Sequence, residues 1–142
     1  MKRSESTAAK LLRRNLPRPE DRVNFVEGNI SGMPDVNYCM DGVEGWIELK
    51  APPLPKRDRT ALMSYGHKLK PMQIRWIKRQ LRAGGRVFIL LCTEEGWILL
   101  NGKFAGIVNE LTFDEMVERS EWIAPKKMTE TDWDLLRDVL VR

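Results

Sequence analysis

The sequence predicts an α/β domain in which a mixed β-sheet is flanked by helices. Three observations carry that expectation. Helix-period and strand-period segments follow one another in the order helix, strands, helix, strands, helices. The run from Val87 to Cys92 is apolar throughout and of strand length, as an interior strand covered on both faces would be. The composition, 42% apolar and 31% charged over 142 residues, suits a single core of ordinary soluble type. The expected organisation is one domain over 1–142, with 109–142 as a C-terminal helical extension.

The elements follow in order. Ser6 to Arg14 is expected as a helix, with Ser4 as its cap, Glu5 in its first turn, and Ala8, Leu11 and Leu12 on one side. Leu16-Pro17-Arg18-Pro19 ends it. Val23 to Val26 is a short strand and Gly28 to Gly32 a loop. Val36 to Met40 and Trp46 to Lys50 are strands around the turn signal Asp41-Gly42, in a loop longer than two residues. Ala51-Pro52-Pro53-Leu54-Pro55 stops the sheet, and residues 51–69 are expected to be mobile or ordered by a ligand. A helix begins at Pro71, buries Ile74, Ile77 and Leu81, and ends at Gly84-Gly85. Trp97 to Leu100 and Phe104 to Val108 are strands joined at Asn101-Gly102. Thr112 with Glu115 has capping-box spacing before a short helix, and Thr129 or Thr131 opens the last helix, with Trp133, Leu136 and Leu140 on one side.

Several function classes drop out. Cys39 and Cys92 are too few for a disulfide scaffold and fall in no zinc-ligand spacing; both are expected to be buried thiols. A single histidine, His67, excludes a histidine-based triad or metal cluster. No apolar run approaches the roughly 18 residues of a membrane span, and the N-terminus lacks a leader's apolar centre, so the cytoplasm is expected.

The net charge of +4 is strongly segregated. Residues 1–22 sum to +4, 23–49 to −5, 50–86 to +10 and 87–142 to −5. Ten net positive charges in 37 residues make 50–86 a candidate surface for a polyanion, against the alternative of a solvated face.

Glu48 and Lys50, two apart on a strand, share a face, and the strand is otherwise apolar (Trp46, Ile47, Leu49). Asp35 begins the preceding strand, where pairing brings its carboxylate beside Glu48. Two carboxylates at one point suit a hard divalent cation, and a lysine beside them can hold water or neutralise a phosphate. On spacing alone, Glu48 and Lys50 also fit a surface ion pair on the solvent face of an antiparallel strand.

Gly32-Met33-Pro34-Asp35, twelve further residues, then Glu48-Leu49-Lys50 resembles the PD-(D/E)XK nuclease signature. Within that superfamily the chain resembles the small phage and bacterial VRR-NUC group, which is similar to Holliday-junction resolvases. The matching pieces are Glu5 in the first helix, Gly32 to Asp35, Trp46 to Lys50, and Lys70-Pro71-x-Gln73-x-x-Trp76, with Gly84-Gly85 and the apolar strand following. They span roughly residues 4–100.

The resemblance implies a restriction-endonuclease-like core and a Mg2+-dependent endonuclease of branched DNA, with Mn2+ able to substitute. It implies Asp35, Glu48 and the Leu49 backbone carbonyl as metal ligands, Lys50 as catalytic lysine and Gln73 as the glutamine supporting the site. Glu5 would complete the site, with Glu20 and Glu27 as competitors. It also implies a homodimer, and host cytoplasm if the gene is a phage's. Candidate DNA contacts are Lys56, Arg57, Arg59, His67, Lys68, Lys70, Arg75, Lys78 and Arg79, with Tyr65 alongside. Trp76 fits either base stacking or packing; Trp97, Trp122 and Trp133 fit core anchors. The alternatives are a catalytically silent nucleic-acid-binding protein, or an assembly protein docking a partner through Glu110, Asp114, Glu115, Glu118 and Glu121.

Overall fold

The computed structural model describes residues 4–26, 32–64 and 66–142. A six-stranded mixed sheet in the order β1-β2-β3-β4-β5-β6 runs through it: β1 Arg22–Phe25, β2 Val36–Met40, β3 Val43–Lys50, β4 Val87–Thr93, β5 Gly96–Asn101 and β6 Trp122–Ala124. Four helices cover it: α1 Glu5–Asn15, α2 Pro71–Arg82, α3 Phe113–Arg119 and α4 Glu130–Val141. Only β3 and β4 are parallel, and α2 lies on the crossover between them.

Strand alternation sorts the side chains into two cores. Ile47, Leu49, Leu90 and Leu99 face Leu12 of α1 and Leu136 and Leu140 of α4. Ile89, Leu91, Ile98 and Leu100 face Ile77 of α2 and Met116 of α3. β4, buried at every position, is the central strand its composition announced.

The caps explain the helix ends. Ser4 Oγ accepts from the Thr7 N–H at 3.0 Å, so α1 starts at Glu5. Pro71 is the first residue of α2, and Gly84, at φ +91°, follows its C-cap Ala83. Thr112 with Glu115 and Thr129 with Asp132 form reciprocal capping boxes on α3 and α4.

Five expectations are corrected. The β2–β3 loop is two residues, not longer: Met40 pairs with Val43, and Asp41 (φ 52°) and Gly42 (φ 74°) are both left-handed, as a type I′ turn requires. Phe104–Val108 is no strand. Asn101 Oδ1 accepts from the Lys103 N–H at 2.9 Å and caps a 3-10 helix over Gly102–Phe104. Gly102 there lies so close to the sheet that a Cβ would sit 2.7 Å from the Val87 carbonyl oxygen.

Residues 109–142 contribute a strand as well as helices: β6 pairs antiparallel with β5, and Trp122 is buried. The basic loop after β3 is anchored rather than loose. Leu62, Met63 and Leu69 are buried, Ala61 bridges Thr112, and the Asn109 side chain accepts from the Leu69 N–H (2.8 Å) and donates to its carbonyl (2.9 Å). Cys39 is exposed, because its strand position points away from the α1/α4 core; Cys92 is buried.

A buried guanidinium ties the chain's two ends. Arg137 of α4, 2% exposed, forms a bidentate pair with Asp21 at 2.8 Å and reaches Asp41 at 3.1 Å. Tyr38 Oη donates to the Leu140 carbonyl at 2.8 Å, and Arg86 donates to the same carbonyl at 3.0 Å.

Candidate active site

Three elements place polar groups at one point between β3 and α2. β2 and β3 pair with Val36 opposite Ile47, which sets Asp35 opposite Glu48 at the end of the ladder away from the Asp41-Gly42 turn. Because Ile47 and Leu49 point to the α1/α4 side, Glu48 and Lys50 point to the α2 side. Both are buried, Glu48 to 2% and Lys50 to 8% exposure. A solvent-face ion pair is therefore not what this strand holds.

Glu48 Oε1 accepts from Gln73 Nε2 at 3.2 Å and lies 3.9 Å from Lys50 Nζ. Among the described residues no donor reaches Oε2, although it is buried. Asp35 is oriented by the Leu49 N–H, which donates to its Oδ2 at 2.8 Å. Burial pushes the Glu48 carboxyl up to about 9; the facing Asp35 and the charge of Glu5 add to that, and Lys50 opposes it. The facing carboxylate and the burial thus act together to disfavour a charged Glu48.

Gln73 joins the site to α2. Its Oε1 accepts from the Lys70 N–H at 2.8 Å at the helix start, while its Nε2 holds Glu48. The turn before Asp35 fits against the same helix end. Gly32 has φ +82°, and a Cβ there would meet the Met72 carbonyl oxygen at 2.3 Å. Only glycine allows that approach.

Of the three candidates for a further acid, Glu5 opens α1 and its charge is felt at Glu48. Glu20 is exposed beside Asp21, which shares Arg137 with Asp41 at the opposite end of β2 and β3, six residues or about 20 Å from Asp35. Glu27 lies outside the described residues. Among the described residues no group of three or more His, Cys, Asp or Glu side chains gathers as a metal cage.

Lys56, Arg57, Arg59, Lys68 and Lys70 are exposed on the anchored loop between Lys50 and α2, with His67 half-buried among them. Arg75, Lys78 and Arg79 are exposed on α2. Among the described residues none of these eight lysines and arginines has an acid within 4 Å. Tyr65 lies outside the described residues. Trp76 meets Trp46 edge to face, with ring centroids 5.1 Å apart. Trp97 and Trp133 pair likewise at 5.8 Å inside the α1/α4 core.

Two positioning residues carried no sequence signal. Asn109 holds the approach to α2 from 40 residues away, and Arg137 sits in an acidic helix that gave it no prominence. No helix among the described residues is long and apolar enough to cross a membrane. No protein-family model matches the chain, and no curated protein matches it.

Proposed function

We propose that the chain is a metal-dependent DNA endonuclease that hydrolyses phosphodiester bonds, acting on branched substrates such as four-way junctions and working as a homodimer. The observation that carries this reading is the buried Glu48 carboxyl, which faces Asp35, is held by Gln73 and has Lys50 beside it. So costly an arrangement in an otherwise apolar strand is retained where a site uses it.

The residues suit a hard divalent cation. Glu48 Oε2 is buried and reached by no donor among the described residues, and the two carboxylates lack a second positive charge. Asp35, Glu48 and the Leu49 carbonyl would hold Mg2+ or Mn2+, and Glu5 supplies further negative charge from α1. When bound, the ion supplies Lewis-acid polarisation of the phosphate and a more acidic water. Gln73 fixes the Glu48 carboxyl and the Leu49 N–H fixes Asp35, and Lys50, 3.9 Å from Glu48, would hold the attacking water or neutralise a phosphate oxygen. The unpaired lysines and arginines of residues 50–86 would grip the phosphate backbone, so affinity should fall steeply with salt.

The test offers a four-way junction, a flap, a linear duplex and single-stranded DNA to the native chain, Glu48→Gln and Lys50→Ala, each with Mg2+, with Mn2+ and with chelator. Metal-dependent cutting that Lys50→Ala slows about 10²–10⁴-fold is expected. No cutting of any substrate by the native chain refutes the proposal, and binding without cutting would assign a catalytically silent nucleic-acid-binding role.

A further inference from the structure

Beside the carboxylates, α2 and β3 touch at a second rung that the hydrolytic chemistry does not use. The first rung is Gln73 to Glu48. The second is Trp76 to Trp46, three residues on along the helix and two back along the strand, hence about 5–7 Å away. Both indoles are half-buried rather than enclosed. Trp76, Arg79, Gln80 and Ala83 line an open cavity of about 340 Å³. Around α2, Gln80 lies about 20°, Trp76 about 60° and Arg79 about 120° from Gln73, so the cavity flanks the stripe of the helix that touches Glu48, one to two turns further along.

The adjoining sheet face grows more exposed toward β1. By register, Trp46 stands beside Asn37 and Asn37 beside Asn24, and Asn24 is exposed. The cavity thus joins an aromatic wall to an exposed guanidinium that has no acid partner among the described residues, about 5–9 Å along α2 from the Gln73 rung. An aromatic ring for a base beside a cation for a phosphate is the chemistry that holds an unpaired nucleotide. A base kept within a duplex presents no ring face to such a wall.

We infer that the Trp76–Arg79 cavity seats one unpaired DNA nucleotide next to the scissile phosphate, with its base against the Trp76 indole and its phosphate on Arg79. The inference takes from the nuclease reading only the position of the cut. It makes the substrate class DNA with an unpaired nucleotide at the site, such as a flap, a gap or the opened centre of a junction. A cavity of this size is ample for a single base and too small for a folded partner's side.

The experiment measures metal-free binding of the full chain to labelled oligo(dT) and to a fully paired duplex of equal length, by fluorescence anisotropy. Trp76→Ala is expected to weaken oligo(dT) binding about 5- to 100-fold while duplex binding changes less than about twofold. Trp76→Phe keeps an aromatic face and the packing, and is expected to retain most of the affinity. Arg79→Ala should weaken oligo(dT) more than Arg82→Ala, which removes the same charge from an exposed position outside the cavity lining. These two surface changes decide the matter even if Trp76→Ala fails to fold. Equal losses on both DNAs, equal effects of Arg79→Ala and Arg82→Ala, or no loss at all would overturn the inference. Because binding is read without metal, an absence of cleavage would sink the nuclease reading and leave this result standing, and the converse holds too.

Discussion

Replacing Glu48 by Gln should abolish cleavage and, without divalent cation, make the fold more stable. The Glu48 carboxyl rises from 4.5 to about 9, with burial as the first cause and the Asp35 charge as the second. The folded chain therefore binds this proton more tightly than the unfolded chain does. Stability from this group is undiminished below pH 4.5 and falls by about 1.4 kcal/mol per pH unit until pH reaches about 9. At pH 7 the 2.5 pH units above 4.5 cost about 3 kcal/mol. An amide of the same shape carries no such cost, but it loses the Lys50 charge and must reorient toward Gln73. The net expected gain at pH 7 is about 1–3 kcal/mol. Urea denaturation of both chains in chelator at pH 5.5, 7 and 8.5 measures it, and the difference between them cancels titrations elsewhere in the protein. The gap should widen with pH, and adding Mg2+ should narrow it by stabilising the native chain alone. A gap that is constant with pH, or a variant less stable at pH 8.5, would refute the reasoning.

Three other outcomes follow from the geometry. Gly32→Ala combines a left-handed backbone with a Cβ 2.3 Å from the Met72 carbonyl oxygen, so it should cost more than about 2 kcal/mol and lower cleavage by displacing the start of α2; urea titration with the nicking assay checks both. Gly45→Ala would put a Cβ 2.2 Å from Tyr38 Oη, whose hydrogen bond holds the Leu140 carbonyl, so hydrogen exchange in α4 should quicken. The Asp21 and Asp41 carboxyls are held below their ordinary value by hydrogen bonds from Arg137, so their contribution is complete above about pH 4 and is lost as pH falls further; melts from pH 6 to 3 should show a steep acid limb that Arg137→Met flattens while costing about 3–5 kcal/mol at pH 7, chiefly by leaving the buried Asp21 unpaired.

The parts legible in the sequence were those set by short-range physics. α1 and α2 declared themselves through Ser4, Pro71 and Gly84, and β4 through its unbroken apolar run. The parts that were not legible depend on distant neighbours. Asn101-Gly102 has the dipeptide of a hairpin, yet Gly102 lies against Val87 and Ile77, and that contact turns the chain into a 3-10 helix. The three residues of β6 form a strand only because β5 offers an edge beside them. The basic loop reads as loose because its anchors, Asn109 and Thr112, are some 40 to 50 residues away. At the site, Asp35, Glu48 and Lys50 can be picked out from spacing and Gln73 only through the resemblance, whereas the burial of Glu48 and Lys50 cannot be read from either. A surface ion pair and a buried one have the same sequence.

That burial follows from the strand itself. β3 must send Ile47 and Leu49 into the α1/α4 core, and the strand period then commits Glu48 and Lys50 to the opposite side, beneath α2. A slip of one residue would bury Glu48 among Leu12, Leu136 and Leu140 with no polar partner, at a cost of several kcal/mol. The apolar residues therefore hold the polar ones in register as firmly as any hydrogen bond in the site. Gln73 does the same for α2, since its one amide caps the helix start and grips Glu48, so the helix cannot slide without releasing both. The charged pair can be costly because its position does not depend on its own stability. It is imposed by the two cores on either side of the sheet.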